Sequence, residues 1–89
     1  MRVTVTVVGS IHVDFYIRLP KLPRSGETVL GYDFIVKPGG KGANQAVAAA
    51  KLGAETYMVG RVGGDVFADQ LLENLRKNNV DVSHVYKDP

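Results

Sequence analysis

The chain has 89 residues, 11 basic and 9 acidic, and no cysteine. That length allows one modest domain burying roughly 60–65% of its unfolded surface, and the lack of cysteine excludes a disulfide framework, a thiolate metal site and a cysteine nucleophile. The net charge of +2, carried by scattered basic residues, argues against a nucleic-acid partner. No apolar run approaches the ~20 residues of a membrane span, and no apolar h-region follows the opening residues as in a signal peptide. The expectation is a soluble, cytoplasmic protein without a membrane partner.

Val3 to Val8 is β-branched at every position and ends at Gly9-Ser10. Such a run predicts a strand buried on both faces, hence a central strand of a parallel sheet. Ile11-His12-Val13-Asp14 follows at its carboxyl end, where open α/β sheets hold their ligands. His12 and Asp14 are therefore candidates; position alone accommodates a turn-forming Asp and a partly exposed His equally well.

Phe15–Leu19 and Thr28–Lys37 are two extended segments, separated by the turn-rich Pro20-Lys21-Leu22-Pro23-Arg24-Ser25-Gly26. Thr28, Leu30, Tyr32, Phe34 and Val36 alternate onto one face of the second. Strands inserted between a core strand and its crossover helix predict a flap, over about residues 13–37, outside the parallel sheet. An isolated hairpin is marginal in water, so this one calls for a partner.

Pro38-Gly39-Gly40-Lys41-Gly42-Ala43-Asn44 comes next, with three glycines in four positions. Glycine there permits φ > 0 and close approach to another molecule. The Ala-rich run behind it predicts a helix over 43–52, with Gly53 as its C′ residue. A glycine loop opening a helix presents free N–H groups and the positive end of the dipole to polar or anionic groups. Lys41 and Asn44 project from the same turn. The plainer reading is that the glycines only let helix and sheet approach closely. The loop is not a Walker A motif, because Ile35 stands where its first glycine would be and Gly42 follows the lysine. It is not a dinucleotide fingerprint either, because Gln45 occupies the third glycine position.

Glu55–Gly60 predicts a second strand continuing to Val62. Gly63-Gly64-Asp65 is a turn, with Asp65 as N-cap of a helix from Val66 to about Asn78 whose apolar stripe is Phe67, Leu71, Leu72 and Leu75. Asn78-Asn79 closes that helix in a left-handed conformation, and a third strand covers 82–86 within Val80–Tyr86. The order gives two right-handed βαβ units, with both helices on one face of a three-stranded, Rossmann-type parallel sheet. That is about half of a doubly wound domain, so the chain is expected to be a piece of something larger.

Gly39-Gly40-Lys41-Gly42-Ala43-Asn44-Gln45-Ala46, followed by Gly53 and Gly63, resembles the N-terminal signature of the ribokinase-type (phosphofructokinase-B, PfkB) carbohydrate kinases. Val8-Gly9-Ser10-Ile11 with Val13-Asp14, Gly26-Glu27-Thr28 and Val62-Gly63-Gly64-Asp65 resemble the family in order and spacing. The resemblance covers nearly all of residues 1–89. It implies a ribokinase-like α/β fold whose flap is a lid over the substrate. It also implies ATP- and Mg²⁺-dependent phosphorylation of a sugar hydroxyl, on ribose or a similar sugar. Asp14, Gly40, Lys41, Gly42 and Asn44 then contact the sugar, with His12 where the family usually carries Asn. The ATP site and the catalytic base belong to the C-terminal half of such kinases. This chain is therefore expected to be inactive alone, to bind no cofactor or metal, and to have as partners a sugar, that C-terminal half and a second copy met through the lid strands. The alternative is a non-catalytic sugar-binding or oligomerisation module.

Overall fold

β1 (Thr4–Val8), β4 (Glu55–Gly63) and β5 (Val80–Asp88) form a parallel sheet in that order, and β2 (His12–Arg18) pairs antiparallel with β3 (Asp33–Gly39) as a separate hairpin. α1 (Lys41–Lys51) connects β3 to β4, and α2 (Val66–Lys77) connects β4 to β5. These elements are seen in a computed structural model that describes residues 2–89.

The β-branched run at the start forms the expected strand, but in a different place. β1 lies at the edge and β4 takes the centre. Val5 and Val7 turn towards the helices, whereas Val8 is 77% exposed. The cause is that both helices cover one face only. On that face Val7, Met58 and Val80 meet Ala43 and Ala46 of α1 and Leu75 of α2, and Val62, Ala68 and Leu72 form a second cluster. Small side chains at 43 and 46 let α1 lie close to the sheet. The opposite face carries exposed Thr4, Thr6, Val8, Glu55 and Arg61. Ile11, given no role by the sequence, packs against both clusters.

The helix ends follow the local chemistry. The Asp65 carboxylate accepts from the Ala68 N–H at 2.9 Å, capping α2, and Asn79 sits at φ 64° just beyond the helix. Gly53, at φ 95°, closes α1: its N–H donates to Ala50 O and the Ala54 N–H to Ala49 O, a Schellman arrangement. In β5 the pairing skips from Tyr57–Asp81 to Val59–His84, which marks a bulge. There Asp81 accepts from both the N–H and the hydroxyl of Ser83, at 2.8 and 2.6 Å. The extra residue lets Val82 and Val85 both reach the core although three positions apart.

The hairpin differs from its expected bounds. β2 begins at His12, not Phe15, and β3 begins at Asp33, not Thr28. Thr28–Tyr32 alternates like a strand, but only the Tyr32 N–H reaches back across the hairpin, to Arg18 O at 2.9 Å, and the turn-rich residues from Pro20 onward offer the others no partner strand. β3 runs instead through Pro38 to Gly39, which face Val13 and His12. Proline is tolerated there because a two-stranded ribbon has only edge strands. Val13, Phe15, Ile17, Phe34, Val36 and Pro38 share one face by register. Phe15 lies 5.3 Å from Phe34 and 5.5 Å from Phe67 of α2, ring to ring, which ties the hairpin back to the sheet domain. The molecule extends over 55 × 30 × 20 Å with a radius of gyration of 16.2 Å, against about 12 Å for a compact chain of this length. Among the described residues no helix is long and apolar enough to cross a membrane.

Candidate functional site

Two segments meet at the carboxyl end of β1: the turn Gly9–Ile11 and the start of α1. The Ala43 N–H donates to Ser10 O at 3.0 Å. A Cβ on Gly42 would lie 2.7 Å from Ser10 N and 2.9 Å from Gly9 Cα. One on Gly40, which has φ 97°, would lie 2.7 Å from Ser10 O and 2.9 Å from His12 N. Real Cβ atoms essentially never come within 3.0 Å of such neighbours. Close backbone packing therefore accounts for Gly40 and Gly42 by itself. The same packing holds the helix start open: among the described residues the N–H groups of Lys41 and Gly42 have no acceptor.

Asp14 projects from β2 beside this loop and is half-buried. The chain has nine acidic residues. Glu27, Asp33, Glu55, Asp65, Asp69, Glu73, Asp81 and Asp88 each hold a hydrogen bond or ion pair. Among the described residues Asp14 alone holds neither. Its carboxylate rests against the backbone of Gly39, itself buried. Lys41 and Asn44 stand exposed on the first turn of α1, three residues apart on one side of the helix, and His12 is exposed at the start of β2. The side chains of His12, Lys41 and Asn44 likewise make no hydrogen bond or ion pair among the described residues. The fold thus gathers the predicted residues on two adjoining segments and leaves their polar groups unspent. An acceptor carboxylate, free backbone N–H donors, an ammonium and a two-way amide match the mixed donors and acceptors of a polyol.

A hollow of about 270 Å³ adjoins His12, lined also by Ile11, Val62, Asp65 and Phe67 at the mouth of the β4–α2 turn. A larger one, about 660 Å³, runs along α2 between Pro38 of the hairpin and Lys87 of β5. Of the candidate residues His12 alone lines either hollow, the smaller one. Sequence reasoning gave Gly39 no role separate from its neighbours and missed Phe67 as the contact that holds the hairpin. Glycine inside a strand is the signal for the first; Phe67 carried no signal beyond its place in an apolar stripe.

A three-stranded parallel sheet, helices on one face and a polar glycine-led turn at the strand ends define a partial Rossmann-type α/β domain with an inserted hairpin. The chain belongs to the pfkB family of carbohydrate kinases, whose profile matches residues 3–89. It is 49% identical over 81 residues to the ribokinase of Bacillus subtilis (strain 168), covering 91% of this chain and 28% of that protein. It is 42% identical over 85 residues to the deoxyribokinase of Salmonella typhi, covering 96% of this chain and 28% of that protein. The structure of Arabidopsis thaliana ribokinase complexed with ribose and ATP superposes with a TM-score of 0.86 at 38% identity, covering 98% of this chain and 28% of that one. The chain spans about a quarter of the length of these relatives.

Proposed function

We propose that this chain is the N-terminal, sugar-binding part of an ATP-dependent carbohydrate kinase acting on ribose or a closely similar sugar. The observation that carries the reading is the unpartnered, half-buried carboxylate of Asp14 beside a glycine-led helix start whose N–H groups are free. In this reading Asp14 accepts hydrogen bonds from sugar hydroxyls. The N–H groups at Lys41 and Gly42 donate to sugar oxygens, the glycine at 40 lets the sugar come close to the backbone, and Asn44 and the Lys41 ammonium complete the set. His12 borders the sugar and influences which one fits. The hairpin, over about residues 13–37, is a lid, and its apolar face meets the lid of a second copy. The relatives support the sugar and the ATP: one is a ribokinase, and another was solved with ribose and ATP.

ATP and Mg²⁺ do not fit the residues present. Among the described residues no three His, Asp or Glu come together as a metal site, and the glycine loop lacks the Walker pattern. Transfer of a phosphoryl group needs placed phosphates, Mg²⁺ and a base for the attacking hydroxyl. We assign those to the remainder of the kinase and no step of them to this chain.

The test is calorimetry with D-ribose on a complete kinase carrying this segment. Loss of one partner leaves polar groups unpaired at roughly 1–3 kcal/mol. Asp14→Ala and Asn44→Ala should therefore each weaken ribose binding by about ten- to several-hundred-fold, with ATP affinity far less affected. Unchanged ribose affinity in both variants would overturn the reading. Separately, the purified 89-residue chain should form no phosphoribose from ribose and Mg–ATP, and supplying the remainder of the kinase should restore turnover.

A further inference from the structure

The three glycines of the loop meet different neighbours. The nearest neighbours of a Cβ at 40 or 42 are backbone atoms of the Gly9–His12 segment. For a Cβ at Gly39 the three nearest heavy atoms all belong to the Asp14 carboxyl: it would lie 2.7 Å from Cγ and 3.0 Å from Oδ1, and nearer still to Oδ2. Gly39 has no positive φ to require glycine. It is a strand residue, paired with His12, so it and Asp14 lie on the same face of the hairpin, one on each strand. Glycine at 39 therefore answers no demand of its own backbone. The place a Cβ would take is occupied by the carboxylate that, among the described residues, has no partner.

We infer that Gly39 is a positioning residue for sugar recognition: by lacking a side chain it seats the Asp14 carboxylate flat against β3, aimed along the strand towards the start of α1. Any side chain at 39 displaces that carboxylate. The energetic logic is pre-organisation. Gly39 leaves open the one aspartate rotamer that rests on β3, and a site whose ligand group can already occupy its place needs less rearrangement when the sugar arrives. The consequence is that the lack of a side chain has different grounds along the loop: at 40 and 42 it is required by the neighbouring backbone, and at 39 by the Asp14 carboxylate. The inference rests on the proposed role of Asp14 as a sugar ligand.

The test is a double-mutant cycle in a complete kinase carrying this segment, read as D-ribose affinity by calorimetry and as KM and kcat separately. Gly39→Ala should weaken ribose binding about tenfold or more, raise KM for ribose and leave KM for ATP near its original value. In the Asp14→Ala background the same change should alter ribose affinity by less than about twofold, because its target has gone. If Asp14→Ala weakens ribose binding and Gly39→Ala does not, or if the two effects multiply in the double variant, the positioning role is wrong and the role of Asp14 stands. If Asp14→Ala itself leaves ribose affinity unchanged, both fall. Should Gly39→Ala fail to fold, Asp14→Gly is added to it. Recovery of folding supports the carboxylate as the obstacle, and continued failure overturns the inference by placing the collision elsewhere.

Discussion

Gly40, at φ 97° with Ser10 O and His12 N both within 3 Å of any added methyl, joins strain to collision. Backbone held in a glycine-only region costs on the order of 1–3 kcal/mol for another residue, before any collision is counted. Gly40→Ala should therefore lower the unfolding midpoint strongly, and denaturant titration should show it; a midpoint matching the parent would refute the packing account of this loop. A gentler case is Asp81. The hydroxyl and then the N–H of Ser83 donate to its carboxylate and hold its pKa below the ordinary 3.8. Because the folded value lies below the unfolded one, the contribution is complete above the unfolded carboxylate pKa and disappears as pH falls through the folded value. Ser83→Ala should move the Asp81 titration upward towards 3.8, which carboxyl NMR can follow, while chemistry at the glycine loop is unaffected.

At the level of elements, the hairpin is held to the sheet domain by one aromatic contact of note. Phe15 meets Phe67 edge-on at 5.5 Å, and aromatic pairs of this kind contribute about 0.5–1.5 kcal/mol beyond burial. Phe67→Ala should raise hydrogen exchange in residues 12–18 and 33–39 while protection in β4 persists; equal loosening of both would mean that the hairpin and sheet open together. The hairpin was also the least legible element. Its existence followed from turn residues between two apolar segments, but its ends did not, because alternation in Thr28–Tyr32 says nothing about whether a partner strand lies opposite. The helices were far easier to place. Asp65, Gly53 and Asn79 each mark a helix end through a local conformation, and local conformation is what a sequence states most directly.

For the whole molecule, the decisive fact is that the sheet is covered on one side. β1, expected at the centre, presents a free edge, and Val8 looks outward. Sequence could not distinguish a strand that is central in a larger sheet from one central in these 89 residues, since a β-branched run reports only what the strand is made to face. The candidate site was legible to the level of residue type and turn, and its internal contacts were not: that Asp14 rests on Gly39 depends on the register of two strands, which no single segment encodes. Exposed Phe15, Ile17, Tyr32 and Phe34 add apolar surface along the hairpin, and unpaired strand edges invite pairing. The 89-residue chain alone should therefore be a dimer or larger by light scattering at high micromolar concentration; a monomer there would show that the edges and the apolar face are inert.

The hairpin leaves the sheet domain at Ile11 and comes back at Gly40, and these two points touch: a methyl on Gly40 would lie 3.1 Å from Ile11 Cα. Departure and return share a single doorway. Whatever happens between residues 19 and 32 leaves the spacing of β1 and α1 unaltered, and doubling the length of a flexible tip costs only about 0.6 kcal/mol in closure entropy. The tip is thus an exchangeable cassette. It can be lengthened, trimmed or replaced without renegotiating the sheet, and a graft of a foreign tip onto Arg18 and Asp33 is the laboratory form of that freedom.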